Sequence, residues 1–397
     1  MEKGKSRSLY NKSFLSLFFL ILNSVVWFYL VVILVRYTEP VLIPSATSLS
    51  WIFYFSVLIS TLAGAAIADK LDRARFIRFW VVFGVISSLF PLVLSSFGEL
   101  GTVVLFTLWG FAFGVGFPSC LALFSLLTDI EKRGSAGGII SFSTYVVLFL
   151  AIMVIPSELL YFSLMLAGWR ALALWPLFHL RVNSLAESRS ISYLSILRRS
   201  KFLLYFCPWL IFCVVNYFGV QIVGQSLGSF VRNLMIFSEF LVGGIFCLVA
   251  GMLMDLRGRR PTIIVGAVAL GLGYALLSFS PASTITQVFY VIVDSVAFGI
   301  FTVAFVLVVW GDMSAEGLGE KFYALGYSCI PLAVILSQAF ASWLKTVNVG
   351  SALSLVSFFL FLAAVPLFFA PELLPEKVIR KREIQRYIEE AKEVVKR

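Results

Sequence analysis

Gly251-Met252-Leu253-Met254-Asp255-Leu256-Arg257-Gly258-Arg259-Arg260 places one acid, three arginines and two glycines between two long apolar segments. A degraded copy, Ala65-Ala66-Ile67-Ala68-Asp69-Lys70-Leu71-Asp72-Arg73-Ala74-Arg75, lies 186 residues earlier, counting from Asp69 to Asp255. A charged turn repeated at half the chain length reads as a duplicated membrane structure whose halves are handled alike.

The composition around the turns sets the solvent. The chain is 60% hydrophobic and 13% charged, with mean hydropathy +0.98 over 397 residues. A soluble domain carries about 25% charged residues, so this chain cannot cover a water-facing surface. Helical crossing of a bilayer needs roughly 20 consecutive apolar residues. Twelve runs meet that need: 13–35, 44–67, 77–96, 101–127, 135–155, 158–180, 202–224, 230–254, 262–280, 284–310, 322–344 and 350–370. They are uniformly apolar rather than alternating, which argues against a barrel. The expected fold is an all-α membrane protein of 12 transmembrane helices, arranged as two pseudo-symmetric six-helix bundles.

Orientation follows from the basic residues. With the N-terminus inside, 27 of the 31 lysines and arginines fall on the inner side. Only Arg36, Arg232 and Lys345 fall outside, and Arg170 lies within a span. The positive-inside rule then puts both termini in the cytoplasm, in a multi-pass protein of the plasma membrane. The net charge of +10 suits anionic lipid headgroups, so no nucleic-acid partner is expected. The first span exceeds a signal-peptide core and lacks a small-residue cleavage site behind it, so it is expected to stay in the mature protein. Cys120, Cys207, Cys213, Cys247 and Cys329 all fall in apolar spans without CxxC pairing. They read as small hydrophobes, and no metal or cofactor is expected.

The chain breaks once. Residues 181–201 are Ser-rich and basic, as expected of a solvated cytoplasmic linker. The first bundle is expected over 1–180 and the second over 202–371. Both halves also carry an acidic, glycine-bearing loop between their fourth and fifth spans: Asp129-Ile130-Glu131-Lys132-Arg133-Gly134 and Asp312-Met313-Ser314-Ala315-Glu316-Gly317. The 183-residue offset from Asp129 to Asp312 nearly matches that of the turns. In the tail, 372–397, Ile384, Tyr387, Ile388, Ala391, Val394 and Val395 recur at helical spacing, which predicts a cytoplasmic amphipathic helix.

Six plus six spans, a central loop and this turn in both halves resemble the major facilitator superfamily of secondary transporters, over about residues 10–371. The family pattern is Gly-x-x-x-Asp-(Arg/Lys)-x-Gly-(Arg/Lys)-(Arg/Lys). The second copy matches it through Gly251, Asp255, Gly258, Arg259 and Arg260, with Leu256 in place of a basic residue. The first keeps Asp69, Lys70, Arg73 and, one place late, Arg75, and loses both glycines to Ala65 and Asp72. Two further family features are missing. Gly110 stands where span 4 often has an arginine ahead of Gly114-Val115-Gly116, and span 5 lacks the Gly-Pro motif of drug antiporters. Multidrug antiport is thereby weakened.

The turn has a physical logic of its own. Gly251 lets two helices approach, and Gly258 permits a tight reversal. A carboxylate at Asp255 suits the positive N-terminal end of a helix from the other half. The resemblance implies that this end is span 5 near Gly134, with span 11 near Phe322 serving Asp69. Arg259 and Arg260 would then bridge carboxylates and lipid phosphates, closing a cytoplasmic gate.

Ionisable groups at mid-bilayer cost about 2.5–3.5 kcal/mol on insertion scales, so each is a functional candidate. Asp294 in span 10 is the candidate for coupling transport to protons, the alternative being a structural hydrogen bond to a neighbouring helix. The resemblance puts that span on the central cavity, with Gln287 near the same face. Glu239 in span 8 is a second proton site or a partner of Arg232. Arg170, in a span the resemblance places at the periphery, reads as a structural residue that snorkels or caps a helix. Asn23, Asn216, Gln221 and Gln287 are the candidate substrate-cavity amides, which either bind a polar solute or join helices, with Trp27 and Tyr217 as a candidate aromatic wall.

The expected function is secondary active transport of a small-molecule substrate by alternating access, driven by protons, in a monomer embedded in the lipid bilayer. An uncoupled facilitator or exchanger fits the same residues, as does a non-transporting membrane sensor. An enzyme is not expected, because the sequence offers no metal cluster, nucleophile–base pair or phosphate loop.

Overall fold

The computed structural model describes residues 2–42, 48–68, 70–179, 191–314 and 319–380, with 384 and 388. Every regular element among them is helical. The first half contains α1 (Glu2–Leu42), α2 (Ser50–Ala68), α3 (Arg73–Leu89), α4 (Gly98–Gly114, continued by Phe117–Leu127), α5 (Arg133–Met153) and α6 (Leu159–Ala171, continued by Leu174–His179). The second contains α7 (Ser200–Ser226), α8 (Ser229–Arg257), α9 (Arg259–Phe279), α10 (Thr284–Met313), α11 (Gly319–Ala339) and α12 (Val349–Phe369).

Helix continuity by itself marks only eleven spans, because Arg73–Leu127 runs on as one nearly unbroken helical stretch of 55 residues. The backbone turns back inside that stretch. Leu89 ends α3, two short turns follow, and Gly98 adopts φ +58° where α4 begins. Trp80 donates to the Ala112 carbonyl (2.7 Å) and Trp109 to the Ser87 carbonyl (3.0 Å). These paired contacts run in opposite directions along the two helices, so α3 and α4 are antiparallel. The described residues therefore form twelve membrane helices.

Side-chain placement inverts that of a soluble protein. Large apolar residues such as Phe79, Leu100, Phe178, Phe279 and Ile285 face outward. Arg133, Arg170, Asp255, Arg259, Asp294, Asp312, Glu320 and Lys321 are buried. Only a lipid solvent makes this arrangement favourable, since acyl chains accept Phe and reject charge.

Across the halves, α5 packs on α8 and α2 on α11. The repeat maps the second helix of a half onto the eighth and the fifth onto the eleventh. One contact is thus the image of the other, as a pseudo-twofold axis requires. The α5–α8 contact is close at its charged end. A Cβ on Gly134 would lie 2.5 Å from the Gly251 carbonyl oxygen, and one on Gly138 would lie 2.6 Å from that of Cys247. Small residues here let two backbones touch, and dispersion and hydrogen bonding hold them where lipid offers no hydrophobic drive.

One expectation changes. The linker reads as solvated in sequence, yet its second part is packed. Tyr193–Leu197 is helical, Ile196 is fully buried, Tyr193 donates to the Leu62 carbonyl (2.6 Å), and Lys321 Nζ reaches the Ile191 carbonyl (2.8 Å). Alternating Ser and large apolar residues let it lie across both halves; residues 180–190 are outside the described set. Most of the expected tail helix is likewise outside it, although 376–380 is helical and Val378 is buried.

Candidate functional site

The second charged turn builds a cross-half clasp. Gly258 ends α8 with φ +107°, a conformation that disfavours any side chain, and α9 starts at Arg259. Asp255 lies in the last turn of α8 against the first turn of α5. Its carboxylate accepts from the N–H of Gly134 (2.9 Å), the N–H of Ser135 (2.7 Å) and the Ser135 hydroxyl (2.6 Å). Helix starts carry unsatisfied N–H groups and a partial positive charge, so an anion from the other half satisfies both.

Arg259 is fully buried and ties the turn to three elements. Nη1 donates to Asp255 (3.1 Å) and to the Met254 carbonyl (2.8 Å), Nε donates to Asp312 (2.8 Å), and Nη2 donates to the Ile130 carbonyl of the first half. Arg133, at the start of α5, pairs with the other oxygen of Asp312. Its remaining donors reach Thr128 Oγ1 (3.1 Å), the Ser125 carbonyl (2.6 Å) and the Thr128 carbonyl (3.1 Å). Two arginines and two aspartates therefore interlock across the halves, with nearly every donor used. Buried ion pairs are stabilising only when hydrogen bonds complete them, as here.

Arg260 takes a different part from the one expected. Its Nη1 donates to the Ala370 carbonyl (3.0 Å), next to the end of α12, rather than bridging a carboxylate. Its N–H and that of Arg259 donate to Glu372 (3.1 and 2.8 Å), which also accepts from the N–H of Leu373 and Leu374 (2.9 and 3.0 Å). Glu372 thus caps the α9 N-terminus.

In the first copy, Asp69 lies outside the described residues. Lys70 is exposed, and Arg73 pairs with buried Glu320 in the first turn of α11. Asp72 stands where the motif has glycine, and its backbone (φ −61°, ψ 113°) is one any residue adopts. Its side chain caps α3 by accepting from the Arg75 N–H (2.7 Å). This turn follows another path, and glycine is not required there.

Between the halves lies a cavity of about 200 Å³. It runs from Phe117 and Leu307 near mid-helix to Arg36 and Tyr54 at the end opposite the clasp. Phe117 packs edge-on to Tyr327 (4.9 Å between centroids) and beside Phe113 (4.6 Å), flooring it on the clasp side. Twelve of the 26 lining residues are aromatic, against 16% of the chain, so the enrichment belongs to the site and not to composition.

Of the residues expected in the cavity, Asn216 and Tyr217 line it. The others do not. Asn23 Nδ2 donates to the Trp169 carbonyl (2.5 Å), and its Oδ1 accepts from Arg170 (3.1 Å). Gln221 donates to the Ser337 carbonyl (3.1 Å), and Gln287 to the Pro281 carbonyl (2.6 Å). These three amides satisfy backbone groups and join or end helices. Trp27 is fully buried and donates to Ser88 Oγ (2.9 Å).

Asp294 is also outside the lining. The cavity face of α10 begins at Phe298. On an adjoining face the helix lies against α8, where Ser295 donates to Ser238 (2.8 Å) and a Cβ on Gly299 would be 2.6 Å from the Gly243 carbonyl oxygen. There Asp294 neighbours Glu239 and the Tyr290–Tyr274 hydroxyl pair (3.0 Å). Glu239 opens a π-helical turn, Glu239–Gly243, and Arg232 instead donates to the Gly224 and Leu227 carbonyls. Asp294 is buried in the second bundle off the cavity, whereas Glu239, only half-buried, also neighbours Tyr29 and Tyr145 of the cavity wall.

Arg170 does not snorkel. It is fully buried in the first bundle, 4.4 Å from the Trp80 ring and 5.1 Å from that of Trp27, and donates to Ser24 (2.7 Å) and Asn23. Indole faces supply the negative potential that a carboxylate would otherwise provide.

Nothing in the motif spacing assigns Arg133, Glu320 or Glu372 a part in the clasp, and Asp312 serves there only as a marker of the repeat. The one usable signal is the register of Asp129 with Asp312. A charge held at the mouth of a repeated span pair is placed to meet the repeated turn. Among the described residues no group of three or more His, Cys, Asp or Glu is placed to hold a metal ion.

No family model matches the chain, and no curated protein is significantly similar to it in sequence. Solved structures are similar in fold. The human organic anion transporter MFSD10 (TETRAN) is 13% identical with a TM-score of 0.68, over 90% of this chain and 99% of that one. The transporter FucP in its outward conformation is 11% identical with a TM-score of 0.74, over 91% and 99%. The proton:xylose symporter XylE is 17% identical with a TM-score of 0.66, over 92% and 97%.

Proposed function

We propose that this chain, which has the major facilitator fold, is a secondary active transporter that moves a small solute across the plasma membrane by alternating access. The observation that carries the reading is the asymmetry between the two ends, since the opposite end is joined by lighter contacts such as Gln338 to Ser50 (3.1 Å). Asp255, Arg259, Asp312 and Arg133 join the halves at one end, while the cavity between them extends to the other. With the basic turns and both termini in the cytoplasm, this is an outward-facing state of a monomer. Rocking the bundles about the cavity breaks the clasp and exposes the solute inside. The similar FucP structure was likewise in an outward conformation.

Protons are the proposed coupling ion, with Asp294 and Glu239 as the exchange site. Their position beside a π-helical turn of α8 supports an indirect role, in which protonation changes how α8 and α10 pack. The test is solute flux into proteoliposomes with and without an imposed pH gradient. Concentrative flux that requires the gradient is expected. Flux indifferent to it overturns the coupling. Tight solute binding with no flux at all overturns transport in favour of a sensor.

A further inference from the structure

The chemistry of the cavity lining narrows the class of solute, an assignment that rests on the transport reading. Among the described residues the lining contains no aspartate or glutamate, and Arg36 is its one charged residue. Arg36 lies at the mouth, while the interior is walled by aromatic and aliphatic side chains from α1, α4, α5, α7, α10 and α11. The polar interior groups are mainly hydroxyls and one amide, including Tyr29, Tyr217, Asn216 and Ser141. Thr144 is already committed to the Ile140 carbonyl (2.8 Å).

Three solute classes meet this lining differently. A sugar would bring many hydroxyls into a mostly apolar space, and each unpaired one is costly. A cation would meet aromatic faces, which attract it, but also Arg36 and no carboxylate to replace its water. A compact aromatic anion suits every part. Its ring packs on Phe212, Phe298 and Phe301, and its acid group takes the hydroxyl donors and the Arg36 guanidinium. Size agrees, since an apolar cavity of about 150 Å³ accommodates benzene, and this one has room for a second ring or a short substituent.

We propose that the cavity takes small aromatic monocarboxylates of one or two rings, with Arg36 selecting the negative charge. Full-length protein in nanodiscs is titrated by calorimetry with 2-naphthoate, 2-naphthamide, a naphthylmethyl-trimethylammonium salt and glucose. Naphthoate is expected to bind about tenfold more tightly than the amide, as a charge-assisted hydrogen bond provides. Arg36→Gln removes that preference and Arg36→Lys keeps it. Because Arg36 is exposed, neither change threatens the fold. No naphthoate binding, tighter binding of the ammonium salt or glucose, or an unchanged preference in Arg36→Gln overturns the assignment.

Flux of the same four compounds into proteoliposomes separates this from the transport reading. Naphthoate that binds without moving sinks transport and leaves the cavity's selectivity standing. Movement of glucose or the ammonium salt in preference to naphthoate sinks the selectivity and leaves transport standing.

Discussion

Replacing Asp255 with alanine removes three hydrogen bonds that only the closed clasp makes, to the two N–H groups and one hydroxyl at the start of α5. It also leaves Arg259 with Asp312 alone as its acidic partner. Breaking a buried, hydrogen-bonded charge pair costs about 3–5 kcal/mol. In an opened clasp water reaches Asp255, so nearly all of that cost falls on the closed state. At about 1.4 kcal/mol per decade, the equilibrium should shift roughly a hundredfold to several thousandfold toward opening. The readout is the spin-label distance between Lys132→Cys on the loop before α5 and Arg257→Cys at the end of α8. Both sites are exposed, and the background lacks Cys207, the exposed native thiol. The parent protein should show one short distance, and Asp255→Ala a dominant longer one. Asp69→Ala, on the eroded turn, should move the distribution less. An unchanged distribution in Asp255→Ala, with the protein still folded by its melting profile, would refute the clasp. Equal shifts for Asp255→Ala and Asp69→Ala would remove the asymmetry between the turns.

Three other outcomes are expected from the same contacts. Asp294→Asn should abolish concentrative transport while solute exchange persists, and concentrative uptake that survives unchanged would end its coupling role. Glu372→Ala should lower stability by about 1–2 kcal/mol, the value of a lost helix cap, seen as a reduced melting temperature with naphthoate affinity unaltered; no change in melting would mean the cap is idle. Gly84→Ala would put a Cβ 2.7 Å from Arg170 Nε and should cost about 1–3 kcal/mol by overpacking. The same change in an Arg170→Ala background should cost far less, and additive costs in this double-mutant cycle would show that the two residues do not compete for space.

The fold was legible because it depends on signals that need no tertiary information. Run length, the lopsided basic residues and the two turns in register identify twelve helices and their duplication. The reversal at Phe90–Gly98 is the one boundary that helical continuity hides, since 73–127 is nearly continuous helix, and there the polar Ser95, Ser96 and Glu99 mark the break in the sequence. The clasp was half legible. Asp255 and Arg259 are fixed by motif spacing, but Asp312 and Arg133 meet only when the halves are docked. The cavity was least legible. Helical periodicity places Asp294 on one side of α10 without saying which neighbour covers that side at each depth. Close packing of Gly299 on Gly243 turns the outer half of that side toward α8, where the cavity does not reach. Amides mislead for a related reason, because in lipid they are as useful for holding a backbone carbonyl as for binding a solute. Asn23, Gln221 and Gln287 all serve carbonyls.

The four side chains of the clasp, Arg133, Arg259, Asp255 and Asp312, carry two positive and two negative charges. When they part, no net charge crosses the membrane field. Membrane potential does work of about 2.3 kcal/mol per elementary charge per 100 mV, so voltage leaves the balance between open and closed clasps nearly untouched. Any voltage dependence measured in flux must then come from charges outside the clasp: the solute, the proposed coupling protons, or groups such as Asp294 and Arg36. An electrical recording of this protein would therefore report the summed charge of what it moves, with little contribution from the clasp itself.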